Sequence, residues 1–352
     1  MSQPQDTSPS QPLSYCSTYP RSLPQFRPDL TFDRQRAIVV TASKWVNGTV
    51  LHYHFLADEA EHGDQMDVVR GAFAEWKDLG IGLSFTEVAE ASESEVRIGF
   101  QAGDGSWSYV GRDVLGIGAT ERTMNFGWDL TTPYGHTTAR HEIGHTLGMP
   151  HEHQNPNAGI TWDEEAVYEF LGGPPNNWPR ETTFHNVLRK LDPREVEGGN
   201  WDPDSIMEYQ FPGGLILAPE EYKDGIFPPG TLSADDQAYI RYWYPPLDGD
   251  DLPDLTPFQS VPLSLTPGQQ ADFAFRPEAS REFNVGTFGS ADAVLVVFED
   301  VDGELRFLAG DDDSGEDRNA LVKVKLVAGR SYVVRIRLYY AWASGQTAVM
   351  AW

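Results

Sequence analysis

Two histidines four residues apart, with a glutamate beside the first, open the stretch His141-Glu142-Ile143-Gly144-His145-Thr146-Leu147-Gly148-Met149-Pro150-His151. Residues i and i+4 of an α-helix lie one above the other on one face, so both imidazoles can reach a single metal ion. Glu142 then stands where it can hold a water on that ion. Gly148 can end the helix in the left-handed conformation, a turn that brings His151 back as a third ligand. Three protein ligands and one open position are what a catalytic zinc requires, whereas a structural zinc closes its fourth position with protein. The five-residue HExxH pattern recurs by chance in many chains. The glycine and the third histidine at these spacings make it specific. The competing reading is an amphipathic helix whose histidines cap a core or face solvent.

HEIGHTLGMPH resembles the extended zinc motif of the metzincin peptidases, and its continuation His151-Glu152-His153-Gln154-Asn155-Pro156 is similar to the astacin-type branch. Ser205-Ile206-Met207-Glu208-Tyr209 resembles the methionine-containing turn of that group, with a tyrosine two residues after the methionine. The resemblance covers about residues 40 to 246. It implies an α+β chain whose metzincin-type catalytic domain has a twisted mixed sheet, a zinc helix, the methionine turn and a closing helix. It also implies zinc held by His141, His145 and His151, with Tyr209 acting on the oxyanion, and protein or peptide substrates. Animal astacins carry disulfides in this domain; with Cys16 as the only cysteine, this chain can form none within itself.

The chemistry follows from the residue types. Three neutral imidazoles leave the zinc charge free to lower the pKa of a bound water toward ~7. Glu142 can take the proton as that water attacks a peptide carbonyl and return it to the leaving amine. Cys16 is a candidate fourth ligand, because a thiolate would occupy the position that water needs. The N-terminal stretch is long enough to cross a cleft, at about 3.3 Å per extended residue. Some metzincins silence their proforms with such a cysteine. Many astacins use an aspartate, which makes Asp6 and Asp29 competitors. A catalytically silent peptidase fold serving as a binding module is the alternative function, and the retained Glu142 argues against it.

At 352 residues the chain can form two domains. Its hydrophobic content of 40% with ten Trp is that of a globular protein. The net charge of −27 argues against nucleic acid or an anionic membrane as a partner. No apolar run reaches the roughly twenty residues of a membrane span. A monomer is expected. The first residues carry neither a basic nor an apolar leader region. An extracellular location is nevertheless favoured by the resemblance and the acidic surface, with a cytoplasmic one as the alternative.

The elements needed to position these residues can be read in order. Residues 1–36, rich in Ser, Pro and Gln, read as a disordered tail or a propeptide, and 37–246 as the catalytic domain. Ala37–Val40 is a short apolar run, and Trp45–Thr49 turns into the strand Val50–Phe55. His52 and His54 share a face there and are read as ordinary strand residues. Gln65–Leu79 has helical spacing, Leu83–Val88 and Val96–Phe100 alternate as strands, and Gly116–Gly118 and Thr123–Trp128 read as the last strands before the zinc helix. An edge strand above the metal could pair with an extended substrate. Thr161 is expected to cap a helix to Leu171, Glu181–Leu191 reads as another, and a helix after Ser233 stops at Pro245-Pro246. Residues 247–254 read as a linker and 255–352 as an all-β sandwich, with strands at Ala271–Phe275, Ala293–Phe298, Leu321–Leu326 and Tyr332–Leu338. By pattern it is similar to pre-peptidase C-terminal domains. Asp311–Asp317 is a solvated acidic loop or, alternatively, a calcium site.

Overall fold

The computed structural model describes residues 13–19, 43–196, 200–246, 252–301, 304–340 and 342–352. The remainder of the 1–36 tail with Asp6 and Asp29, the run 37–40 and most of the 247–254 linker lie outside the described residues. The fold is mixed α/β followed by an all-β region. Strand β1 (Val50–Phe55) buries Leu51, Tyr53 and Phe55 on one face, and His52 and His54 alternate to the other. Helix α1 (Glu59–Asp78) begins six residues before its apolar periodicity, because the Asp58 carboxylate accepts from the Ala60 N–H and caps the first turn. Strands β2 (Ser84–Glu87), β3 (Val96–Gly99), β4 (Trp107–Ser108) and β5 (Met124–Asn125) join β1 in a five-stranded sheet of order β2-β1-β3-β5-β4. Strands β1 and β2 run parallel, as do β3 and β5, whereas β4 is antiparallel to β5 and ends the sheet.

Helix α2 (Pro133–Thr146) carries the first two histidines. Thr132 caps it by accepting from the Gly135 N–H, with Pro133 at the first helical position. Gly116–Gly118 is not a strand: Gly111–Gly116 winds into a 3₁₀ turn, closed by the Ile117 N–H donating to the Val114 carbonyl. Nor does Thr161 cap helix α3 (Glu164–Gly172). Thr161 and Trp162 form strand β6 against β8 (Ile216–Ala218), and Asp163 caps instead, accepting from the Ala166 N–H. The helix expected over Glu181–Leu191 is a single α turn, α4 (Arg180–Thr183), running into a π turn over Phe184–Leu188. Strands β7 (Phe211–Pro212) and β9 (Gly225–Ile226) pair after the methionine turn, and helix α5 spans Ala234–Trp243.

Eight strands follow among the described residues: β10 (Val261–Leu265), β11 (Gln270–Phe275), β12 (Arg281–Thr287), β13 (Ala293–Val301), β14 (Glu304–Asp311), β15 (Leu321–Leu326), β16 (Ser331–Leu338) and β17 (Gly345–Ala351). They form two four-stranded sheets of order β10-β17-β12-β15 and β11-β16-β13-β14. Inward residues including Phe275, Val285, Leu295, Val297, Val334 and Ile336 form one buried cluster. The Asp311 carboxylate accepts from Ser314 and from the Leu321 N–H, so it is engaged by its own loop.

By contacts the chain divides into two compact units, and the division is not a single cut. One comprises Met1–Ser43, His54–Ala72 and Glu95–Ser233; the other comprises Lys44–Tyr53, Phe73–Ser94 and Ala234–Trp352. The candidate site lies wholly in the first.

Candidate metal centre

Gly148 adopts φ +99°, and the Met149 N–H returns to the Gly144 carbonyl. This left-handed step ends α2 and aims His151 back at the helix. His141 donates through Nδ1 to the Ile206 carbonyl (2.7 Å), and His145 through Nδ1 to the Met149 carbonyl (2.8 Å). With Nδ1 committed, each Nε2 presents a lone pair. The methionine turn therefore anchors the first histidine through Ile206. It also anchors the chain after the third, since the Glu152 N–H donates to the Met207 carbonyl (3.0 Å). Met207 itself is buried.

Cys16 lies against these three rings. Its Sγ is 3.2 Å from His141 Nε2, 3.6 Å from His145 Nε2 and 3.1 Å from His151 Nε2, and the last two nitrogens are 3.1 Å apart. A tetrahedral ion with ordinary Zn–N and Zn–S bond lengths needs donor–donor edges of roughly 3.3–3.6 Å. The donor types suit zinc, these four edges of 3.1–3.6 Å are close to that spacing, and all four donor atoms fall within 4.8 Å of one another. Among the described residues it is the one group of His, Cys, Asp or Glu side chains gathered closely enough to hold a metal.

Burial holds the imidazoles neutral. It pushes His141 down to about 4, against the hydrogen bond to Ile206, and lowers His145 and His151 as well, helped by the neighbouring rings. The same burial raises the Cys16 thiol, with Glu142 adding to it, and raises the Glu142 carboxyl. Glu142 is fully buried; neither oxygen has a well-formed hydrogen bond, and the Cys16 thiol is beside it. Such a group is costly unless something is to be bound there, so this too fits a cationic centre.

Tyr209 completes the cluster. Its hydroxyl donates to the Cys16 carbonyl (2.5 Å) and lies 3.0 Å from His151 Nε2. The sequence alone assigned no role to His153, whose buried ring stacks on His151 at 5.3 Å and lies 4.6 Å from Tyr209. Its Nε2 donates to the Asn186 carbonyl (2.9 Å), and its Nδ1 is 3.6 Å from the buried Glu208. Burial takes His153 down to about 3, so it packs as a neutral ring. Its place in the motif continuation was the only available signal. Asn176, Asn186 and Tyr134, which hold residues 13–18, carried none.

This arrangement is that of a metzincin-type zinc peptidase. The family model described as Astacin, a peptidase family, matches residues 37–167. A solved structure of myroilysin is 32% identical, covering 59% of this chain and 98% of that one, with a TM-score of 0.53. A crystal structure of myroilysin is 31% identical, covering 58% and 86%, with a TM-score of 0.44. A pre-peptidase C-terminal domain of a collagenase from Bacillus anthracis is 10% identical over 30% of this chain and 99% of its own, at a TM-score of 0.26. No curated protein matches the chain. The chain belongs to the astacin family of peptidases and is a zinc-dependent metalloendopeptidase acting on protein or peptide substrates. No helix among the described residues is long and apolar enough to cross a membrane.

Proposed function

We propose that His141, His145 and His151 hold the catalytic zinc, that Glu142 is the general base, and that the chain is a zymogen silenced by Cys16. When bound, zinc supplies Lewis acidity toward water and toward the scissile carbonyl. Glu142 accepts the proton of the attacking water and delivers it to the departing amine. Tyr209 donates a hydrogen bond to the carbonyl oxygen as it gains charge, once its hydroxyl is released from the Cys16 carbonyl. The two motifs hold the rings in place through Ile206 and Met149. Residues 37–246 are read as the catalytic domain and 255–352 as an accessory sandwich. Export is part of the same reading, through the family.

The observation that carries the zymogen reading is the convergence of Cys16 Sγ with three histidine Nε2 atoms. Bound there with zinc, a thiolate would fill the ligand position that water needs. Cys16→Ser in the full chain should raise casein hydrolysis at least about tenfold, since a hydroxyl is a far weaker zinc ligand than a thiolate. Cleavage between Arg21 and Arg36 should do the same, and a mercurial should activate the wild type but not Cys16→Ser. An intact wild type as active as the cleaved protein would refute the switch.

A further inference from the structure

Residues 13–18 are held chiefly through their backbone. The Asn176 side-chain amide accepts from the Tyr15 N–H (2.9 Å) and donates to the Leu13 carbonyl (3.0 Å). One residue of a parallel strand bonds to the chain beside it in this way, gripping the groups on either side of one residue, here Ser14. On the other side of Cys16, the Ser17 N–H donates to the Ser106 carbonyl (3.2 Å), next to the terminal strand β4. The Thr18 N–H donates to Asn186 Oδ1 (2.7 Å). These contacts read no side chain, so any extended polypeptide can use them.

Two side chains of the segment are treated differently. Tyr19 stacks on Tyr109 at 4.6 Å but is 50% exposed. Tyr15 is 4% exposed, with Phe211, Tyr209, Phe170 and Trp178 around its ring at 5.2–6.4 Å. Its hydroxyl donates to the Gln210 carbonyl (2.6 Å). Of these two rings, only Tyr15 sits in a position enclosed enough to select. Tyr15 is the chain neighbour of Cys16, whose sulfur sits among the ligand nitrogens. A peptide placing its carbonyl there brings a side chain to this pocket from within one or two residues.

Resting on the peptidase reading of this cleft, we infer that the pocket of Phe170, Trp178 and Phe211 is a specificity subsite for an aromatic side chain close to the scissile bond, and that Asn176 is the substrate's main-chain clamp. The N-terminal segment borrows both.

The test uses the full chain activated by cleavage in the 21–36 stretch. Fluorogenic peptides carry Tyr, Phe, Ala or Asp at each of the four positions nearest the scissile bond. At one position kcat/KM for Tyr and Phe should exceed that for Ala by at least about tenfold, the worth of burying a ring. Trp178→Ala should bring that ratio within about threefold, while Asn176→Ala should lower all peptides alike, about 3–10-fold, and keep the ratio. Equal cleavage of the Tyr, Phe and Ala peptides at all four positions would overturn the subsite, as would an unchanged ratio in Trp178→Ala. A readout without turnover is binding, by fluorescence anisotropy, of a synthetic peptide of residues 13–19 carrying Cys16→Ser. Adding Tyr15→Ala should weaken it at least about tenfold, and equal binding of the two peptides would overturn the inference. Casein hydrolysis by the same activated protein reports the peptidase reading separately.

Discussion

Around Cys16 the structure buries three histidines, a glutamate and a tyrosine whose polar atoms face one another, and both Glu142 oxygens lack a well-formed hydrogen bond. In the C-terminal strands a buried charge is handled in the opposite way. Arg335 on β16 and Asp272 on β11 are 1% and 3% exposed and form a bidentate pair, Nε to Oδ1 at 2.7 Å and Nη2 to Oδ2 at 2.6 Å. The remaining Arg335 nitrogen donates to the Asn47 carbonyl. Asn47 in turn donates to the Pro245 carbonyl and Gln270 Oε1. Gly48 sits at φ +91°, and a Cβ there would collide with the Arg335 guanidinium. A satisfied buried pair rigidifies. Polar atoms converging without such a pair suit a bound cation.

The comparison can be broken most forcefully at Glu142. In the activated protein, Glu142→Ala should lower kcat on casein by about 10²–10⁴ while the zinc content measured by atomic absorption stays near that of the wild type. Near-normal turnover would remove Glu142 from the chemistry. It would also remove the reason for burying an unpaired carboxyl.

Asp272→Ala sharpens the other side. It leaves the Arg335 guanidinium buried without its counter-ion and should cost about 3–5 kcal/mol in urea unfolding. The kcat of the molecules that remain folded should be unchanged. Replacing both partners together, Asp272→Leu with Arg335→Met, should recover most of the loss. A small effect of the single change would mean that the pair contributes little to the fold.

The smallest of the three effects is expected at Tyr209. Tyr209→Phe keeps the ring that packs on His151 and His153 and removes only the hydroxyl. In the activated protein kcat should fall about 10²–10³ with KM little changed. If KM rose instead, the hydroxyl would act in binding.

Legibility varied with the range of the interaction. The spacing of His141 and His145, the turn at Gly148 and the alternation of β1 are set within a few residues, and all were visible in the chain. The same local logic failed where long-range partners intervened. Thr161 was drawn into a strand by Ala218, so Asp163 became the cap. Glu181–Leu191 kept its helical pattern only for one α turn, because the Arg189 N–H bonds to the Phe184 carbonyl in a π turn. In the β region the four strongest apolar runs were readable. Strands β10, β12, β14 and β17 alternate with more exposed or polar residues and were not singled out.

What the sequence determined by itself was a set of donors on one helical face with a third delivered by a glycine turn, since helix periodicity and backbone sterics are local. It also supplied a lone cysteine of the right chemistry. Only the tertiary structure decided that this thiol, 125 residues before His141, lies among three histidine Nε2 atoms. It likewise decided that Asn176 copies a neighbouring strand for Ser14, and that Phe170, Trp178 and Phe211 enclose Tyr15. These contacts join segments far apart in the chain, and their geometry follows from the packing of the elements between them, which no spacing within a motif encodes.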